Sequence, residues 1–196
     1  MVKVEEQLLF YWSLWLLFFI VFFFIHPIQL RRVFLSFILL SIISVSFFLP
    51  IWLVTINLNM IVWLLLSFYL LSRNKQPVKI IFFCCIFACF YIALLWWKMI
   101  TPVWFMYLNG MEISLLACLF VGFLCGNFFE RVITLLIGST IGNIVYEGML
   151  LYMKLDTQLG HLSNYMYLHF ALLILLFIYA IKRAMNYVWF HMKEVS

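Results

Sequence analysis

Apolar residues run along this chain in long stretches that polar residues interrupt at only a few points. A helix needs about 20 apolar residues to cross the roughly 30 Å of hydrocarbon in a bilayer. Because the stretches are continuous, they favour transmembrane helices over barrel strands, in which apolar and polar residues alternate. They predict spans over residues 8–25, 33–49, 51–71, 80–97, 111–128, 132–153 and 163–181. The predicted fold is therefore all-α, a polytopic transmembrane bundle of about seven helices.

The apolar stretch over residues 33–71 is too long for one span, since a single helix of that length would measure about 58 Å. Pro50 is the interruption within it, so we expect the chain to turn there. Thr55, Asn57 and Asn59 then make the beginning of the third span polar.

Basic residues predict the orientation of the bundle. With this layout, nine of the 12 Lys and Arg residues fall on one side of the membrane: Arg31, Arg32, Arg73, Lys75, Lys79, Arg131, Lys182, Arg183 and Lys193. Loops rich in Lys and Arg stay in the cytoplasm, so the N-terminus is predicted outside and the C-terminus inside. Residues 183–196 then form a cytoplasmic tail, either an amphipathic helix on the inner leaflet or a frayed polar end.

Composition supports a membrane location. The chain is 68% hydrophobic and only 10% charged, whereas an ordinary soluble domain carries about 25% charged residues. The net charge of +5 does not point to nucleic acid, because the basic residues flank apolar stretches instead of forming one stripe. The lipid bilayer is thus the predicted partner. The 23 phenylalanines also fit an AT-rich bacterial genome, so we expect a bacterial cytoplasmic membrane.

The sixth span carries a polar face. Ser139, Asn143 and Glu147 recur every four residues and so share one side of the helix. Glu147 lies about 9 Å inside the outer end of that helix. An ionised carboxylate at such a depth costs about 2.5 kcal/mol or more unless it is paired, hydrated or protonated. His169 in the seventh span lies at a matching depth, which allows a contact with Glu147.

Asn57 and Asn59 fall in the same outer layer as Glu147 and His169. Together these side chains suggest a polar pocket that opens outward. The alternative is that they form interhelical hydrogen bonds, which contribute about 0.6 kcal/mol each to the stability of a bundle.

Glycines predict a helix contact. Gly122 and Gly126 in the fifth span, and Gly138 and Gly142 in the sixth, each form a GxxxG pattern. Counted from a turn at residues 129–131, Gly122 and Gly138 lie at nearly the same depth. We therefore expect the backbones of these two helices to pack closely.

Motifs for catalysis or metal binding are missing from the sequence. It contains no nucleophile elbow, phosphate loop or HExxH motif. The five cysteines lie inside apolar stretches without the spacing of a metal site, so we interpret them as small buried hydrophobes. We predict neither a cofactor nor a metal, and enzymatic activity is not indicated.

A resemblance to a known family rests on several stretches. They are Leu9-Phe10-Tyr11-Trp12, Pro102-Val103-Trp104, Arg131, Gly138 to Tyr146, and Leu150. With these the chain resembles the YphA-like family of small polytopic membrane proteins from Bacillus and its relatives. The chain departs from the family pattern at Asn143 and His169, where the family has acidic residues, and Glu147 supplies an acid one turn after Asn143. The resemblance implies the fold and a bacterial inner membrane, but no activity.

Two functional hypotheses follow. In the first, the protein is a small-solute or proton-coupled carrier, or a sensor of such a solute, with a polar pocket in the outer half of the bundle. In the second, it is a non-catalytic interaction or scaffold protein that binds a protein partner or a second copy of itself. An enzyme acting on lipid would need at least one further polar group near Glu147.

Overall fold

The computed structural model describes residues 2–25, 27–51, 54–74, 76–105, 111–155 and 158–195. Within these ranges the chain forms seven α-helices: α1 Val2–Phe24, α2 Ile28–Ser44, α3 Leu58–Ser72, α4 Pro77–Ile100, α5 Met111–Leu124, α6 Phe128–Tyr152 and α7 Leu162–Val195. It also forms the strands β1 Phe48–Ile51, β2 Val54–Asn57 and β3 Gln158–Leu159, and a short 3-10 helix at Pro102–Phe105. The predicted helical class is confirmed. The small sheet was not predicted.

Four helices of the described part are long and apolar enough to cross a membrane. The qualifying segments are Gln7–Phe24, Pro77–Ile100, Phe128–Tyr152 and Leu162–Lys182. The helices α3 and α5 are also apolar but shorter, with 15 and 14 residues. These lengths support a multi-pass membrane protein, and the number of spans and their orientation remain predictions.

The connection between α2 and α3 differs from the predicted one. Residues 48–57 contain an antiparallel hairpin in which Pro50 pairs with Thr55 and Ile51 with Val54. The predicted start of the third helix at residue 51 is therefore wrong, as is the predicted end of the second at residue 49. Val54, Thr55 and Ile56 are β-branched residues, which fit a pleated strand better than a helix.

Asn57 explains why α3 begins where it does. Its side-chain oxygen accepts a hydrogen bond from the N–H of Asn59 at 2.9 Å, and its backbone is extended. This is the geometry of a helix N-cap, which satisfies one of the backbone donors that the first turn leaves unpaired.

The strand β3 pairs in parallel with β2, with Thr55 opposite Gln158 and Ile56 opposite Leu159. This pairing brings the α6–α7 connection against the α2–α3 connection, and we call this end of the bundle the sheet end. Gly160 follows β3 with φ of +90°, and a Cβ there would lie 2.8 Å from Cβ of Asn57. Both the conformation and the space therefore require glycine at this turn.

At the opposite end, the turn between α5 and α6 spans residues 125–127 instead of the predicted 129–131. Nε of Arg131 donates to the carbonyl of Cys125 at 2.8 Å, and Nη2 donates to the carbonyl of Gly122 at 3.3 Å. These bonds satisfy carbonyls that the end of α5 leaves unpaired. Glu130 lies in the first turn of α6, where a negative charge is favourable, and pairs with Lys79 at 3.4 Å.

The glycines of α6 pack against α4. A Cβ on Gly138 would lie 3.1 Å from the carbonyl oxygen of Cys84 and 3.3 Å from Cβ of Phe87, with a ring carbon of Phe87 closer still. A Cβ on Gly142 would lie 2.9 Å from a ring carbon of Tyr91. These distances require that the two backbones run close together.

The predicted glycine contact between the fifth and sixth helices is wrong. A Cβ on Gly122 or Gly126 would meet no atom within 4 Å. The helices α5 and α6 touch elsewhere, for example where Sγ of Cys125 lies 3.4 Å from Oγ1 of Thr134. Gly122 and Gly138 have a similar depth in the sequence count, but they lie on helix faces that do not contact each other.

The helix α7 continues without a break to Val195. Its 34 residues span about 51 Å, longer than the hydrocarbon layer is thick. The predicted separate tail at 183–196 is thus a continuation of α7 as far as the backbone is described, and most of its side chains lie outside the described residues. Among the cysteines, Cys84, Cys118 and Cys125 are buried as predicted, whereas Cys85 and Cys89 are exposed on α4.

Candidate solute site at the sheet end

Glu147 binds the connection between α6 and α7 through its carboxyl group. Its Oε2 accepts a hydrogen bond from the N–H of Gly160 at 2.6 Å. Its Oε1 accepts from the N–H of His161 at 3.0 Å and from Nδ2 of Asn164 at 2.9 Å. Glu147 is 1% exposed, and its carboxyl group lies at the N-terminus of α7, where the helix dipole favours negative charge. Glu147 therefore anchors the beginning of α7 to α6.

The contact that matching depth allowed between Glu147 and His169 does not form. Nδ1 of His169 instead lies 3.1 Å from Oγ of Ser13 on α1. The imidazole ring packs between the rings of Phe10, at 4.7 Å between centroids, and Trp63, at 5.1 Å. The reason is that His169 faces α1 and α3, while the loop after β3 fills the acceptor positions of Glu147.

The other residues of the predicted pocket are also buried, each at most 1% exposed. Asn57 donates from Nδ2 to the carbonyl of Val45 at 3.3 Å, and Asn59 accepts from Oγ of Ser41 at 2.5 Å. Oγ of Ser139 donates to the carbonyl of Leu135 in its own helix at 2.6 Å. These bonds hold α3 to α2 and satisfy Ser139 within α6, so they match the structural interpretation of these side chains.

Asn143 is the exception among them. It is fully buried, and neither its oxygen nor its nitrogen has a hydrogen-bond partner among the described residues. It lies near the hydroxyl of Tyr91, which donates to the carbonyl of Asn164 at 3.3 Å. Asn143 thus extends the polar region around Glu147 deeper into the bundle.

A cleft of about 250 Å³ opens at the sheet end, between the ends of α4 and α6 and the beginning of α7. Its walls consist of Leu95, Lys98, Met99, Tyr146, Leu150, His161, Ser163 and Asn164. The six predicted pocket residues are not among them. The cleft nevertheless adjoins Glu147, because Asn164 contributes to its wall and donates to the Glu147 carboxyl group.

Lys98 brings a positive charge to the wall of this cleft. Its ammonium group donates to the hydroxyl of Tyr167 and lies 4.7 Å from the centre of the Tyr167 ring. The Glu147 carboxyl group accepts hydrogen bonds from two residues of this wall, the N–H of His161 and Nδ2 of Asn164. Among the described residues, the wall therefore combines the ammonium group of Lys98 with hydrogen-bonding and apolar side chains.

Sequence reasoning missed the residues that form this cleft. Ser163 and Asn164 follow one another at the start of α7, where such residues usually serve as helix caps. Lys98 lies in the last turn of α4, where a basic residue is common because it interacts favourably with the helix dipole. Nothing in their spacing indicates that they meet, since the turn at Gly160 is what brings α7 to the end of α4.

Among the described residues, no group of three or more His, Cys, Asp or Glu side chains lies close enough to hold a metal ion. The described wall of the cleft instead offers the ammonium group of Lys98 and the neighbouring amide and hydroxyl groups.

Comparison with known proteins identifies a family. The family model described as YphA-like integral membrane protein matches residues 6–196. No curated protein and no solved structure matches the chain. Because the family model covers nearly the whole length, it confirms the resemblance found in the sequence, and the chain belongs to the family of YphA-like integral membrane proteins.

Proposed function

We propose that this protein binds a small polar solute in the sheet-end cleft and acts as a carrier or a sensor of that solute. The observation that carries the proposal is the cleft of about 250 Å³ with Lys98 in its wall. Small-molecule sites are typically concave and mostly apolar with a few placed polar groups, which describes this cleft. Its volume is near the lower end of such sites, so the solute is small.

The chemistry of the wall favours a solute with an anionic group, such as a carboxylate or a phosphate. Lys98 offers a charge-assisted hydrogen bond, and the side chains of Ser163 and Asn164 lie on the same wall. Leu95, Met99 and Leu150 suit a short apolar portion of the solute. Within the described part of the chain, the residues that form the wall include no acidic side chain.

The orientation that we propose has the sheet end outside the cell, in a bacterial cytoplasmic membrane. The excess of basic residues in the loops of the opposite end supports it. A solute outside the cell would then reach the cleft directly. Binding of the solute would then affect Glu147 through Asn164, because Asn164 lines the cleft and also donates a hydrogen bond to the Glu147 carboxyl group.

One observation favours the scaffold hypothesis. Glu147 has three hydrogen bonds within the chain and needs no solute to complete them. If these bonds served only to hold helices together, substitutions in the cleft would change no binding activity. The two hypotheses therefore differ in whether Lys98 binds a solute.

Lys98→Met tests this difference. We expect some members of a panel of small carboxylates and phosphates to raise the melting temperature of the protein in lipid nanodiscs, because a bound ligand stabilises the folded state. Lys98→Met should weaken that binding about 10- to 100-fold, the loss expected for a hydrogen bond to a charged group of about 1.5–3 kcal/mol.

Lys154→Met is the matched control, since Lys154 is exposed at the same end but does not line the cleft. It should bind the solute as the unmodified protein does. An effect of Lys154→Met equal to that of Lys98→Met, or no stabilisation by any member of the panel, would contradict the proposal.

A further inference from the structure

Several polar atoms in the interior lack partners. Among the described residues, these include Nδ2 of Asn59 and Nε1 of Trp63 on α3, both amide atoms of Asn143 on α6, and the hydroxyl of Tyr165 and Nε2 of His169 on α7. Each of these side chains is at most 1% exposed. Buried polar groups in proteins nearly always have a partner, which is either protein or ordered water.

These atoms belong to one region of the interior. Asn59 and Trp63 lie four residues apart on one face of α3, as Tyr165 and His169 do on α7. The rings of Trp63 and His169 are 5.1 Å apart between centroids. On the other side, Tyr165 lies near Glu147 and Tyr91, and Asn143 lies near the Tyr91 hydroxyl. The region thus extends from beneath Glu147 to His169.

The unpaired atoms are both donors and acceptors. Ser13 has one hydroxyl hydrogen and donates it to the carbonyl of Phe10 at 2.7 Å. His169 must therefore donate from Nδ1 to Ser13, which leaves Nε2 with a lone pair. Trp63 Nε1 and Asn59 Nδ2 are donors. A molecule that accepts hydrogen bonds from the donors on α3 and donates one to Nε2 of His169 would satisfy unpaired groups on both α3 and α7.

The occupant must be small and uncharged. The unpaired groups are all neutral, and an ion among them would lack a compensating charge, which makes its burial unfavourable. Water both donates and accepts, and a buried water typically makes about three hydrogen bonds to groups that are otherwise unsatisfied. The apolar side chains that surround these groups in the bundle cannot form hydrogen bonds with them in place of water.

We propose that α3, α6 and α7 enclose a hydration site whose bound water molecules pair with Trp63, His169, Asn143 and Tyr165. The site is separate from the sheet-end cleft and does not depend on a solute there. It makes the interior of this bundle polar from the level beneath Glu147 to that of His169.

Tyr165→Phe and Asn143→Leu test the site, because each removes polar atoms with little change of shape. If water is bound, each variant removes a hydrogen-bond partner of that water and should lower the melting temperature by about 2–4 °C. If the region is dry, each variant removes an unsatisfied group and should raise the melting temperature. Tyr91→Phe is the control, since it loses a hydrogen bond within the protein and should lower the melting temperature in either case.

Radiolytic labelling in isotopically labelled water provides a second measurement, because it modifies side chains that contact bound water. We expect modification of Trp63 and Tyr165 but not of Phe87, which is equally buried among apolar neighbours. A rise in melting temperature for Tyr165→Phe and Asn143→Leu, or labelling of Trp63 and Tyr165 no greater than that of Phe87, would overturn the hydration site.

Discussion

Gly138→Ala should lower the free energy of unfolding by about 1–3 kcal/mol, and Gly138→Leu by more, because a side chain there overpacks the contact between α4 and α6. The new Cβ would press on the Phe87 ring and lie 3.1 Å from the carbonyl oxygen of Cys84. The Phe87 ring is fully buried and the carbonyl belongs to the helix, so neither can move without separating the helices. Equilibrium unfolding in mixed micelles would measure the effect.

Gly122 provides the matched control on α5. A Cβ there would meet no atom within 4 Å, so Gly122→Ala and Gly122→Leu should leave stability within about 0.5 kcal/mol of the unmodified protein. Equal destabilisation by Gly122→Leu and Gly138→Leu would show that α6 does not pack on α4 through its glycines.

Glu147→Gln should also destabilise the fold, by about 1–3 kcal/mol, although the amide keeps the shape of the side chain. The reason is that both carboxyl oxygens accept hydrogen bonds and all three partners are donors. A glutamine would place its own NH₂ group against a backbone N–H and leave at least one buried donor unpaired.

Asn164 allows a direct check of this explanation. Asn164→Ala removes one of the three donors and should cost less than Glu147→Gln. In the double variant the two effects should be less than additive, because the residues share a hydrogen bond. Thermal unfolding of the four proteins would measure the coupling, and full additivity with a silent Glu147→Gln would contradict the proposed anchor.

The helices were largely predictable from apolar stretches, and the exceptions have physical causes. The chain between α2 and α3 is as apolar as a helix, so hydropathy alone extended the third span back to residue 51. The β-branched run before Asn57 and the capping ability of Asn57 itself were the signals for a strand followed by a helix start. Similarly, Gly126 and Asn127 mark the turn before α6 better than Glu130, which is favourable inside the first turn of a helix.

For the candidate site, the depth of a residue in its helix does not give the direction of its side chain. Counting residues at 1.5 Å each places Glu147 and His169 at similar levels. Which way each side chain points depends on how the helices are rotated, and for His169 that direction is toward α1. The same limitation explains the glycine contact assigned to the wrong helix. The position of the cleft depends on where the α6–α7 loop lies, and hydrophobic periodicity gives no information about the position of a loop.

Cysteine labelling tests most directly the central claim that the sheet-end cleft binds a solute from outside the cell. In a variant whose five native cysteines are replaced, Ser163→Cys would be treated in intact cells with a membrane-impermeant thiol reagent. Arg73→Cys, at the opposite end, serves as control. We predict that Ser163→Cys reacts, that the solute identified in the Lys98 experiment slows this reaction, and that Arg73→Cys does not react. Reaction of Arg73→Cys but not Ser163→Cys, or reaction of Ser163→Cys at the same rate with and without the solute, would contradict the account.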